Sequence, residues 1–108
     1  MTEPNENYES LHRVLMQALD QAQSGKGKER HADGNRFENQ PICVIGRRKG
    51  YGFTEGQVWK KILEVDNLLT IDAKIREMLS IIVYAAADII LLEEEKAKTA
   101  INVRTLED

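Results

Sequence analysis

The chain has 108 residues and a mass of 12.3 kDa, room for one domain and not for two. Its 31% charged and 42% hydrophobic residues are globular proportions, which excludes wholesale disorder and a fibrous repeat. The net charge of −3 has the wrong sign for a protein that coats long nucleic acid, and the lone Cys43 excludes an internal disulfide or a multi-cysteine zinc site within one chain. One free thiol points to the reducing cytoplasm. The opening MTEPNENYES is acidic and polar where a secretory signal is basic and then apolar, so no export is expected.

Residues 7–23 carry Tyr8, Leu11, Val14, Leu15, Ala18, Leu19 and Ala22 at the spacing of one helix face. Asn7 is placed to cap the start and Gly25 the end. From 25 to 39 the apolar pattern stops, leaving Ala32 and Phe37, which predicts a long basic loop of the kind that carries function or is disordered. Pro41 followed by ICVIGRR fits a short helix over 41–48 with proline in its first turn, although the β-branched residues also suit a strand. Gly50 ends it. Thr54 and Gln57 have capping-box spacing, and Val58, Trp59, Ile62, Leu63, Val65 and Leu69 predict a helix over 54–69. A long helix over 72–95 follows, capped by Thr70 or Asp72. Residues 96–108 alternate weakly at Ile101, Val103 and Leu106, consistent with a short strand, an arm reaching a neighbour, or a disordered tail. The expected fold is a small, mainly all-α domain with a long apolar C-terminal helix and a glycine-rich basic central loop.

Between Met78 and Leu92 only Ser80 and Asp88 are clearly polar, so that helix is apolar nearly all round. It is shorter than the roughly 20 apolar residues of a membrane span and contains Asp88, so no membrane contact is expected. Either it is a central core helix or it meets another subunit, and a chain this small gains from the second. We therefore expect a homo-oligomer assembled through the 72–95 helix. Arg76, Ser80, Tyr84 and Asp88 form one polar line at i, i+4 spacing on it. Polar groups in such a setting mostly hydrogen-bond within the fold or across a symmetry axis; the alternative is that the line faces a ligand.

Charge separates the chain into thirds. Residues 1–24 hold four acids and one base, 25–61 nine bases and four acids, and 62–108 ten acids and five bases, giving −3, +5 and −5. All seven glycines and both phenylalanines fall in the basic middle. There GKGKERH, residues 25–31, sets Lys26, Lys28, Arg30 and His31 among two glycines, offering cations and backbone amides to a phosphate without being a Walker loop or GxGxxG. Arg47, Arg48 and Lys49 make a second cluster before Tyr51 and Phe53. Taken singly, each cluster reads equally well as a solvated turn. Together they point to a phosphate-bearing ligand, with Lys26, Lys28, Arg30, Arg47, Arg48 and Lys49 on phosphate, Tyr51 and Phe53 stacking a base, and His31 donating a hydrogen bond.

KGYGF, residues 49–53, matches the first five positions of the RNP1 motif and resembles the same stretch of cold-shock domains. The match stops at Thr54, Glu55 and Gly56, and a mainly helical period argues against the sheet or barrel those domains need. Catalytic sets are sparse. His12 reads as a surface or packing residue, Glu29, His31 and Asp33 do not define a metal site, and the acidic run Glu93–Glu95 lacks the arrangement of a magnesium-dependent nucleotide pyrophosphatase. Neither a resident metal nor a cofactor is expected, and the reading leans away from an enzyme.

A very small helical chain with a long apolar helix, a basic glycine-rich loop and no catalytic set resembles the phage-encoded sponge proteins that oligomerise and sequester cyclic nucleotide or cyclic ADP-ribose immune signals. The resemblance is one of architecture and size, covers no motif and transfers no residue. It implies a non-enzymatic role in a host cytoplasm, with sites between subunits. The expected function is thus binding or sequestration of a nucleotide or cyclic nucleotide. The alternatives are a small nucleic-acid-binding protein and a metal-dependent nucleotide hydrolase.

Overall fold

A computed structural model describes residues 5–24 and 34–107, with side chains as far as Ile101. Among the described residues the fold is all-α, 86% helical and without a strand. Four helices follow in order: α1 (Glu9–Ser24), α2 (Pro41–Lys49), α3 (Gly52–Val65) and α4 (Ile71–Glu107). Short 3-10 turns, Glu6–Tyr8 and Phe37–Asn39, precede α1 and α2.

The helix ends follow local chemistry, and several differ from the periodicity. Asn5 accepts a hydrogen bond from the Asn7 amide at 2.9 Å and starts the 3-10 turn, so α1 begins at Glu9 and not at residue 7. The end of the expected basic loop, at 37–39, is helical. Over 41–49 the chain is a helix, with Pro41 in the first turn, where a missing amide costs nothing. Gly50, at φ +88°, terminates it by donating to the Gly46 carbonyl at 2.8 Å, a conformation that favours glycine. Thr54 is not a cap: α3 already runs from Gly52, and it ends at Val65 instead of 69 because residues 66–67 form a turn. Thr70 does cap α4, accepting from the Ala73 amide at 3.0 Å.

The largest correction concerns the C-terminus. Residues 96–107, expected as a tail, arm or strand, continue α4 to Glu107. They contain neither glycine nor proline, and Lys98 stands one turn beyond Glu94, a favourable i, i+4 pair. The alternation of β-branched residues has no second strand to pair with among the described residues. At 37 residues α4 spans about 55 Å, which accounts for the 58 Å long axis of the molecule.

All three other helices pack on α4. Cys43 from α2 joins Ala87 and Leu91 from α4 in the central cluster, with Phe37, Ile42 and Tyr51 against it. Gly46 allows the close approach of α2 to α4: a Cβ there would stand 2.5 Å from Leu91 Cδ1. Ala18 and Leu79 are buried farther along, where α1 lies on α4. Among the described residues the fully buried hydrophobics end there, and Leu11, Leu15, Leu19, Ile75 and Leu92 remain about half exposed. The chain exposes 8683 Å², against about 6,100 Å² expected for a folded monomer of this mass. Its radius of gyration, 16.5 Å, likewise exceeds the roughly 13 Å of a compact chain of this length.

Candidate functional site

The basic cluster Arg47, Arg48 and Lys49 occupies the last turn of α2, where cations complement the negative end of the helix dipole. The three side chains divide into two roles. Arg47 Nε donates to Glu94 Oε1 at 2.7 Å and Nη2 to Oε2 at 2.8 Å, a bidentate pair across to α4. The same Nη2 donates to the Glu38 carbonyl at 2.6 Å. This guanidinium raises its own pKa by these contacts and holds the Glu94 carboxyl below its ordinary value through their hydrogen bond. Arg47, expected on phosphate, thus positions α2 and the turn before it. Arg48 and Lys49 are exposed, and among the described residues neither has an ion-pair or hydrogen-bond partner.

The two rings expected to stack a base are engaged in packing. Tyr51 lies half-buried against the Cys43, Ala87 and Leu91 cluster. Phe53 meets Tyr84 of α4 edge-on, with centroids 6.4 Å apart and planes at 67°. Lys26, Lys28, Arg30 and His31 lie outside the described residues, as do Glu29 and Asp33.

The polar line on α4 is used inside the fold. Ser80 accepts from Gln21 Nε2 at 3.0 Å, and the same amide reaches the Arg76 carbonyl at 3.1 Å. Tyr84 packs on Phe53 and lies 5.6 Å from Lys61 Nζ, which also pairs with Glu77 at 2.8 Å. Asp88 accepts from the Thr54 hydroxyl at 2.6 Å, and Thr54 is completely buried. Ser80, Tyr84 and Asp88 therefore join α1 and α3 to α4, while Arg76 contributes its backbone carbonyl and keeps its side chain exposed.

An open groove of about 710 Å³, not anticipated from periodicity, runs between α1 and the first turns of α4, past His12, Arg13, Asp20, Ile75 and Leu79. His12 sits on its wall. Burial raises the pKa of the Cys43 thiol, keeping it in the inert protonated form. Among the described residues no three His, Cys, Asp or Glu side chains gather where they could share a metal ion, and no helix is long and apolar enough to cross a membrane. No protein-family model, curated protein or solved structure matches the chain.

Proposed function

We propose that this chain is a non-enzymatic binding protein of the cytoplasm that works as a homo-oligomer through α4 and takes a phosphate-bearing small molecule, above all a nucleotide or cyclic nucleotide, at the basic end of α2. The observation that carries the reading is the division of labour among neighbouring cations. Arg47 is fixed by Glu94, while Arg48 and Lys49 stand exposed on the turn that Arg47 holds in place. Arg48 and Lys49 project about 100° apart on the last turn, and the length of both side chains is what lets a guanidinium and an ammonium reach two oxygens of one phosphate. Lys26, Lys28, Arg30 and His31 add cationic and donor groups from the neighbouring sequence. The stacking role of Tyr51 and Phe53 forms no part of the proposal, because packing occupies both rings.

Arg48→Ala with Lys49→Ala should weaken equilibrium binding of cyclic dinucleotides or ADP-ribose derivatives at least roughly tenfold, about 1.4 kcal/mol, with helicity and assembly unchanged. Unaltered affinity would remove the site from α2. Affinity that climbs with oligonucleotide length and falls steeply with salt would instead make the ligand a nucleic acid.

A further inference from the structure

We infer that α4 pairs with α4 of a second copy as an antiparallel two-helix coil, along the seam Ile75, Met78, Ile82, Ala85, Ile89 and Leu92. The inference deepens the oligomeric part of the reading above and rests on it. These six residues follow one another at intervals of 3, 4, 3, 4 and 3, the heptad spacing of positions a and d. At 100° per residue they occupy one arc of α4. Ser80, Tyr84, Ala87, Asp88 and Leu91, which hold the other helices, occupy the far arc, and α1 borders the seam only at its first turn, where Ile75 and Leu79 line the groove.

Five of the six seam residues are exposed, and Ile82 is half-buried. Ile75 is 49% exposed, Met78 48%, Ile89 57% and Leu92 47%, with Ala85 exposed at its centre. The excess of about 2,600 Å² over a compact monomer belongs to the whole chain and the seam is one part of it, while a stable interface takes roughly 800 Å² from each partner. A second copy brings the same heptad-spaced apolar face and can set Lys74 against Glu95 of the partner subunit, which makes it the occupant.

Orientation follows from shape and charge. In a parallel pair Ala85 would face Ala85 of the partner subunit and leave a void, Lys96 would face Lys96 of the partner subunit at an a layer, and Asp88 would flank Glu93 of the partner subunit. Reversing one helix about the Ile82–Ala85 midpoint sets Ile82 against Ala85 of the partner subunit and Ile75 against Leu92 of the partner subunit. Lys74 then flanks Glu95 of the partner subunit. Asp72 approaches Glu93 of the partner subunit in this arrangement, and Lys96 of the partner subunit beside it offsets that repulsion. Both copies present the same patch, so the contact is isologous and closes at two.

The test combines sedimentation with cysteine cross-linking of the full chain. Wild type should sediment as a dimer at micromolar concentration. Ala85→Glu and Ile89→Glu, both at exposed positions, should each raise the dissociation constant by more than roughly a hundredfold while circular dichroism reports unchanged helicity. Under oxidation Ile75→Cys alone and Leu92→Cys alone should not cross-link, since like residues lie about 25 Å apart in the antiparallel pair. A mixture of the two should, and buried Cys43 takes no part. A dimer that survives both glutamates, a stoichiometry other than two, or self-cross-linking of Ile75→Cys would overturn the antiparallel seam and leave the oligomeric reading standing. A wild-type monomer would overturn both.

Discussion

Thr54 has the strictest environment of any polar side chain in the described structure, being fully buried with its hydroxyl 2.6 Å from Asp88 Oδ1 and 3.2 Å from the Tyr51 carbonyl. One proton serves one acceptor at a time, and the charged carboxylate is the stronger. Thr54→Val keeps the shape and strips Asp88 of its donor, so chemical denaturation should show a loss of about 1–3 kcal/mol. An Asp88→Asn partner change should cost less in the valine background than in wild type, because the pair is already broken. Gly46→Ala sets two effects against each other. Alanine gains up to about 1 kcal/mol of helix propensity, while the clash with Leu91 Cδ1 at 2.5 Å costs about 1–3 kcal/mol of overpacking. Overpacking wins, and thermal denaturation should show a lower Tm.

At the scale of elements, α2 is short and is secured by one core residue, one close approach and the Arg47–Glu94 pair. Each member of that pair is about one-third exposed, so solvent screens it and Arg47→Ala should cost about 1 kcal/mol, read as faster amide exchange in α2 than elsewhere. Its pH dependence has a definite sign. The Glu94 carboxyl is held below its unfolded value, chiefly by its hydrogen bond to Arg47. That contribution is complete above the ordinary carboxylate range, near pH 4–5, and is lost as pH falls through the depressed folded value. Thermal melts of wild type should therefore converge with those of Glu94→Gln on acidification and separate again toward neutral pH; parallel curves would refute the assignment.

The helical character of α1, of α3 and of α4 as far as residue 95 was readable from apolar periodicity, whereas 41–48 fitted helix and strand alike, and the polar line at Arg76, Ser80, Tyr84 and Asp88 stood out before its partners were known. What periodicity hides is partnership across the chain. Arg47 looks like one of three equivalent cations until Glu94, 47 residues away, is placed beside it. Thr54 imitates a helix cap because a buried hydroxyl and a capping hydroxyl have the same local spacing. The heptad seam was present in the 3–4 intervals from Ile75 to Leu92, yet an almost continuously apolar stretch masks any one face of a helix. The end of α4 was missed for a related reason: the weak alternation at Ile101, Val103 and Leu106 resembles a strand when no second strand among the described residues tests it.

The whole molecule is a long helix carrying three shorter ones, with little buried apolar surface for its length and much left open. The proposed pairing of α4 with a second copy predicts a Tm that rises with protein concentration, whereas a self-sufficient monomer would melt independently of it. The central claim joins assembly to ligand binding, and native mass spectrometry reads both at once. The protein should be sprayed alone and with linear nucleotides, cyclic di- and trinucleotides, ADP-ribose derivatives and a short oligonucleotide. The account predicts a dimer that retains an intact nucleotide at a fixed ratio; a monomer that retains none, or that converts one to a lighter product, would contradict it.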